Sequence, residues 1–209
     1  RLAVEPPAQA AAPCLAHPGA ILSPTVCHHF WARLAGERLD LKSPLAGTAM
    51  GLCFRYEGRA AEGLERLREF RMREFYACGS TRAMAALREE LLRDQMEILR
   101  RFELRGAIET ASDPFFFDGD LSKRRIQAMF ELKHEIKLAL PYKDAWLAVG
   151  SVNLHKDTFA KAFGFSAQDG AALHSCCAAW GLERFALAIL AQHGLEARRW
   201  PPALQEILA

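Results

Sequence analysis

Two arginines stand where the sequence could hold phosphate. The first lies in Phe54-Arg55-Tyr56-Glu57. On a strand, side chains alternate with a period of two, so Arg55 and Glu57 share a face. Downstream, Arg66, Arg68, Phe70, Met72, Glu74 and Tyr76 share a face of a second run. Paired as a hairpin, the two segments mix arginine, glutamate and phenylalanine on one surface, which suits neither a core nor a plain solvated face. The planar fork of arginine matches a phosphate, and a phenylalanine ring can stack on a base. The second arginine is in Gly181-Leu182-Glu183-Arg184, ahead of Phe185-Ala186-Leu187-Ala188-Ile189-Leu190. That helix is apolar almost all round after its first turn, which predicts burial. A buried charge left alone is costly, so Arg184 is expected to meet an anion. The anion is either a protein carboxylate or a phosphate, which a helix N-terminus also favours.

The cysteines offer a second chemistry. Six of them, at 14, 27, 53, 78, 176 and 177, are too few to staple 209 residues. A core of this size needs no disulfides, so reduced and buried thiols are the ordinary expectation. There is no Cys-x-x-Cys pair and no His-Glu-x-x-His run, so a metal site must be assembled from distant segments. The rest of the composition is that of a globular protein, 51% hydrophobic and 25% charged, which excludes collagen, coiled coil and disorder. A formal net charge of +2 gives no general pull toward nucleic acid or membrane. No apolar run approaches the ~20 residues that span a bilayer, and a cytoplasmic location is expected. Arg1 in place of Met points to a fragment or processed form. The Ala- and Pro-rich first 20 residues lack the continuous apolar stretch of a signal peptide.

These residues need elements to position them. Residues 1–20 read as a linker or tail broken by Pro6, Pro7, Pro13 and Pro18. Thr25 is placed to cap a short helix ending near Gly36. Residues 49–57 and 66–78 read as strands of an antiparallel hairpin around a loop at 58–65, although 64–76 also has helical character. Ser80 or Thr81 caps a helix running to about Phe102, with Met84, Leu87, Leu91, Ile98 and Leu99 along its apolar stripe. A strand follows at 106–111 and a loop at 113–120. Along 130–138, Phe130, Leu132, His134, Ile136 and Leu138 alternate with Glu131, Lys133, Glu135 and Lys137. Strands are expected at 145–152 and 171–179, a short helix capped by Asp157 ending at Gly164, and a helix from Leu182 to His193 stopped by Gly194. Antiparallel strands with helices between them argue an α+β domain around a mixed sheet. The absence of a GxGxxG or Walker loop disfavours the two common nucleotide-binding folds.

Taken together, the two arginine segments resemble motifs 2 and 3 of the class II aminoacyl-tRNA synthetases. Motif 2 opens with Phe-Arg-x-Glu, here Phe54-Arg55-Tyr56-Glu57, and closes with a basic residue four before a Phe, here Arg66 and Phe70. Motif 3 carries Gly-Leu-x-Arg at a strand–helix junction, here Gly181-Leu182-Glu183-Arg184. The resemblance implies that Arg55 holds the α-phosphate of ATP and Glu57 the adenine amino group. Phe70 would stack on the adenine, Arg184 would hold the γ-phosphate, and Arg66 would join this ATP-binding set. It also implies that Cys27, Glu74 and Cys177 converge beside the ATP. Thiolate and carboxylate are zinc ligands, and three protein ligands leave a fourth position open for a substrate amine. Such a Cys, Glu, Cys set is similar to that of the atypical, zinc-dependent seryl-tRNA synthetases and of their truncated relatives, the bacterial amino acid:carrier protein ligases.

The chain looks most like the ligases over about residues 20–195. Pro24-Thr25-Val26-Cys27-His28-His29, Met72-Arg73-Glu74-Phe75, Asp113-Pro114-Phe115-Phe116, Gly150-Ser151-Val152-Asn153-Leu154-His155 and Cys177-Ala178-Ala179-Trp180 carry that likeness. Cys176 stands where a small residue is expected, and neighbours on a strand face opposite ways, so only one of Cys176 and Cys177 can be the ligand. The resemblance favours Cys177, which lies four residues before Gly181 as in the family. By the same resemblance the strand carrying Lys133 and Glu135 borders an amino-acid pocket and a Mg²⁺ site, against the plainer reading of a solvated ion pair. Ser151 and Asn153 are further pocket candidates. Residues 21–209 would be the catalytic domain, with motif 1, the dimer-forming element, outside the chain. The implied activity is ATP-dependent activation of glycine or alanine and transfer to the phosphopantetheine of a carrier protein, without tRNA, by a homodimer when full length. The rival readings are the core of a seryl-tRNA synthetase, which calls for a basic surface, and a non-catalytic paralogue, which should have lost one of Arg55, Glu57, Phe70 or Arg184.

Overall fold

The computed structural model describes residues 22–56, 63–111 and 132–208. The expected tail at 1–20, Glu57, the 113–120 loop and the Phe130-Glu131 start of the alternating run lie outside the described residues. In chain order the elements are α1 (Cys27–Arg33), β1 (Arg38–Leu39), β2 (Leu45–Phe54), β3 (Glu69–Ser80), α2 (Thr81–Arg101), β4 (Gly106–Thr110) and β5 (Lys133–Leu140). They continue with β6 (Ala145–Lys156), α3 (Thr158–Phe163), β7 (Ser166–Ala167), β8 (Leu173–Gly181), α4 (Leu182–His193) and α5 (Pro202–Leu208). Short 3₁₀ turns lie at Gly63–Glu65, Pro141–Lys143 and Ala197–Arg199.

Six strands form one sheet in the order β2-β3-β8-β6-β5-β4. Every pairing within it is antiparallel, so the α+β expectation holds. The parallel component is confined to the two-residue β1–β7 pair. The hairpin at its edge forms as expected but in shifted bounds: β2 starts at Leu45 and ends at Phe54, and β3 runs on to Ser80. Ser80 then caps α2, its hydroxyl accepting from the Ala83 amide at 3.2 Å, which supplies one of the helix's unpaired N–H groups with a partner. Met84, Leu91 and Leu99 of its predicted stripe are buried, and Gln95 is buried with them.

Two helices cover the back of the sheet. On α2, Met84 and Leu91 pack with Ala77, Val152, Leu154, Cys176 and Ala178. On α4, Ala188 and Ile189 pack with Ile136, Leu138, Leu140, Leu147 and Val149. Only Ala188 and Ile189 of α4 are fully buried, so the all-round burial expected from its composition is not found. The helix lies on the sheet along one stripe and keeps an outer face. Two other local expectations also fail. Asp157 stands at the N-cap of α3 without capping it, because its carboxylate is paired with Lys161 one turn on at 2.7 Å. Thr25 does not cap α1.

β6 carries two irregularities. Against β5 the register steps from Ile136↔Gly150 to Lys137↔Ala148, skipping Val149. Against β8 it steps from Leu154↔Cys176 to Lys156↔Ser175, skipping His155. Such bulges bend a strand and re-aim its side chains. Between them Gly150 lies so close to β8 that a Cβ there would stand 2.6 Å from the Ala179 carbonyl oxygen. Backbone cannot step aside as a side-chain tip can. Gly150→Ala is therefore expected to destabilise the fold by about 1–3 kcal/mol, the range for overpacking, measured as a lower urea midpoint at unchanged slope.

Candidate active site

The front of the sheet is ordered in two rows. Glu74, Ala179, Ser151 and Glu135 stand opposite one another across β3, β8, β6 and β5. One step along, Tyr76, Cys177, Asn153 and Lys133 do the same. Directly opposed residues of antiparallel strands project to the same face with Cα atoms about 4.5–5.5 Å apart. The sheet thus brings Glu74, Cys177, Ser151, Asn153, Lys133 and Glu135 onto one surface. Cys176 projects to the back, into the cluster under α2, where burial pushes its thiol up to about 12.

α1 lies over one end of this face. Phe30 and Trp31 pack on Tyr76, the first with ring centroids 4.4 Å apart. Its N-terminus is held from the sheet rather than by a local cap. The Glu74 carboxylate, 1% exposed, accepts from the Val26 amide at 3.0 Å, from the Cys27 amide at 2.9 Å and from the Thr25 hydroxyl. A carboxylate at a helix N-terminus meets both unpaired N–H groups and the positive end of the helix dipole. This is why Thr25 serves Glu74 and not the helix.

The clamp brings Cys27 to Cys177. The Cys27 thiol is the first cause, ahead of burial, of a Cys177 pKa well above the usual thiol range. Cys177 Sγ also accepts from Asn153 Nδ2 at 3.3 Å and lies 3.5 Å from His155 Nε2. Asn153 Nδ2 reaches Ser151 Oγ at 3.0 Å as well, and its Oδ1 is buried without a hydrogen-bond partner. Burial holds His155 down to about 3, with His28 adding to the effect. Lys133 and Glu135 form an ion pair at 2.8 Å, both mostly buried, at 18% and 16% side-chain exposure.

The two arginines occupy the other end. Arg55 follows β2, its amide bonded to the Arg68 carbonyl at 2.9 Å. Its guanidinium lies 5.0 Å from the centroid of Phe70, and donates to the Pro24 carbonyl at 3.3 Å and to Met72 Sδ at 3.6 Å. Met72 is opposite Gly181, the last residue of β8, so the α4 N-terminus begins beside it. There Glu183 accepts from the Arg71 amide at 2.9 Å. Arg184 is half-buried and donates to the carbonyls of Glu65 at 2.6 Å and Ala148 at 3.0 Å. These carbonyls orient the fork. Lys143 and Tyr142 hold the Glu65 carboxyl below the usual range, and the carboxylate lies near enough for Arg184 to help hold it ionised. Arg66 is exposed.

The donor types at Cys27, Glu74 and Cys177 suit zinc, and the structure brings the two thiols into contact beside the carboxylate. Glu74, however, turns both oxygens to α1, and among the described residues no three His, Cys, Asp or Glu side chains surround a common point as a ready metal cluster. The donor set therefore suits zinc by its chemistry, with the carboxylate engaged in the helix clamp. Of the residues that join this cluster, Thr25 is read from the sequence as a helix cap and within a stretch carrying the family likeness, His155 only within such a stretch, and Ser175 not at all. The signal available was the placement of Thr25 beside Cys27, and of His155 two residues beyond Asn153.

Comparisons with known proteins agree with the fold. The family model described as tRNA synthetase class II core domain (G, H, P, S and T) matches residues 18–193. The chain belongs to the class II aminoacyl-tRNA synthetase core family. It is 34% identical over 203 residues to a type-2 serine–tRNA ligase of Methanopyrus kandleri, covering 92% of this chain and 38% of that protein. It is 32% identical over 191 residues to amino acid–acyl-carrier-protein ligase 2 of Bradyrhizobium diazoefficiens, covering 90% of this chain and 56% of that protein. The chain thus spans less than two thirds of these relatives. Among solved structures, M. kandleri seryl-tRNA synthetase in complex with A. aeolicus tRNASec superposes with a TM-score of 0.78 at 29% identity, over 88% of this chain and 37% of that one. Seryl-tRNA synthetase of Pyrococcus horikoshii, complexed with ATP, shares the fold at a TM-score of 0.69 and 22% identity, over 88% and 42% of the two chains. Among the described residues no helix is long and apolar enough to cross a membrane.

Glu74→Ala should unclamp α1. Each buried amide left without its partner costs about 1–3 kcal/mol, so the urea midpoint should fall. Amide exchange at Val26 and Cys27 should speed up, while exchange in α2 tracks only the global loss.

Proposed function

We propose that the protein activates a small amino acid, glycine or alanine, with ATP and Mg²⁺ and passes the aminoacyl group to the phosphopantetheine thiol of a carrier protein. The contact of Arg55 with Phe70 beside the start of α4 carries the activation half of this reading. One charged fork, one aromatic face and a second arginine then line a single end of the sheet, with polar groups and thiols at the other. In this reading Phe70 stacks on the adenine and Glu57 accepts from its amino group. Arg55 holds the α-phosphate, and Arg66 and Arg184 hold the outer phosphates. The substrate carboxylate attacks the α-phosphorus, pyrophosphate leaves, and Arg55 stabilises the charge that builds on the phosphoryl oxygens. The carrier thiol, losing its proton, then attacks the adenylate carbonyl, and AMP leaves as the thioester forms.

Ser151 and Asn153 line the amino-acid end, where the unpartnered Asn153 Oδ1 is an acceptor for a substrate N–H. Glu135, steadied by Lys133, is a hard oxygen donor of the kind Mg²⁺ takes. Cys27, Glu74 and Cys177 are the residues that would hold zinc, which when bound would orient the substrate amine. The carrier protein as acceptor is supported by the 32% and 30% identities to the two Bradyrhizobium ligases. The 34% identity to the Methanopyrus enzyme supports a second reading, in which the same core charges tRNA.

Arg55→Ala and Arg184→Ala should each lower ATP–pyrophosphate exchange by roughly 10²–10³, the cost of one transition-state donor, and excess amino acid should not restore it. Exchange near the wild-type level in either variant refutes the phosphate assignments. The acceptor is tested by offering the full-length protein a phosphopantetheinylated carrier and bulk tRNA side by side. A hydroxylamine-labile product on the holo carrier, absent from the apo carrier, is expected. Transfer to tRNA alone selects the synthetase reading.

A further inference from the structure

β6 and β8 fall out of step at His155, the residue skipped between Leu154↔Cys176 and Lys156↔Ser175. Lys156 takes a left-handed φ of 52° at the same point. The irregularity turns the imidazole along β8, where it bridges two residues of the front face. Nδ1 lies 3.1 Å from Ser175 Oγ and Nε2 lies 3.5 Å from Cys177 Sγ. The ring is walled in edge-on by Phe159 and Trp31, at 4.7 and 6.4 Å between centroids, and Ser175 and Trp31 are buried with it. A histidine kept only for packing needs no bulge and no aligned partner at each nitrogen.

The direction of the hydrogen bonds follows from the sulfur. Asn153 Nδ2 donates to Cys177 Sγ, and a thiolate that ligates a metal offers only acceptor capacity. With Cys177 in that role, His155 donates from Nε2–H, and its Nδ1 accepts from the Ser175 hydroxyl. We propose that His155, its tautomer set by Ser175, is a positioning residue that holds Cys177 Sγ as an acceptor, the form in which the sulfur would ligate zinc. The inference rests on the reading of Cys177 as a zinc ligand. In this role His155 would act through the sulfur, as hydrogen-bonding partners of metal ligands do.

The test is zinc affinity of the full-length protein, measured by competition with a chromophoric chelator, together with the cobalt-substituted spectrum. Loss of such a partner lowers metal affinity roughly 10–100-fold, and His155→Phe should fall in that range and shift the thiolate-to-cobalt charge-transfer band. His155→Gln, whose side-chain amide can reproduce the Nε2 donor, should restore both readouts. Ser175→Ala leaves the ring in place and frees its tautomer, so it should weaken zinc in the same direction even if His155→Phe fails to fold. Wild-type affinity and spectrum in Ser175→Ala and in folded His155→Phe, with zinc lost in Cys177→Ala, overturns the inference and leaves the metal reading standing. A wild-type protein that takes up no zinc overturns both.

Discussion

Burying the Glu74 carboxylate is costly unless hydrogen bonds replace its water, and the donors that replace it come from Thr25, Val26 and Cys27. Much of the front face depends on this exchange. The carboxylate is central in β3, while its partners form the entry to α1, so one polar contact settles where the N-terminal helix sits. From that anchor Cys27 is directed at Cys177, and Phe30 and Trp31 are laid on Tyr76. The aromatic cluster then closes over His155 and Phe159. Its contribution is largely apolar burial, but its placement is electrostatic.

The sheet separates two tasks by parity. Residues pointing back, such as Val152, Ala178 and Cys176, make a dry layer under α2. Those pointing forward carry carboxylate, amide, hydroxyl, thiol and ammonium groups. Because the strands are antiparallel and mostly in step, residues far apart in sequence fall into rows without any loop having to place them. Sites carried on strands hold their geometry more tightly than sites carried on loops. The arginine end differs: Arg55 lies just past β2 and Arg184 in the first turn of α4, each at an element's end.

What the sequence disclosed, and what it hid, follows the range of the forces involved. α2, α4 and the β2–β3 hairpin were legible because periodicity, a capping serine and a stopping glycine are local signals. The alternation before Leu138 identified β5 for the same reason. β6 was expected to stop at residue 152, yet it runs to Lys156, since Asn153 and His155 are buried polar residues that break an apolar pattern. Thr25 reads locally as a cap. Its true partner is 49 positions away, beyond any local rule. The half-exposed α4 shows the converse, because apolar composition does not say which face a neighbour covers. The family likeness gave Phe70 and Arg55 separate roles on ATP and implied no contact between them, so their approach, like the bridging of Ser175 and Cys177 by His155, is a finding of the structure.

The paired bulges of β6 also bear on how the fold tolerates change. In a regular strand a slip of one residue at either end travels the whole length and turns every side chain over. On β6 the skipped residues Val149 and His155 act as phase breaks on either side of Gly150–Leu154. An inserted or deleted residue in the Pro141–Asp144 turn can be absorbed at the first break, and a change in the approach to α3 at the second. The segment bearing Ser151 and Asn153 is thereby insulated. Its neighbours can vary in length over evolution while the alignment of β3, β8, β6 and β5 at the site is kept.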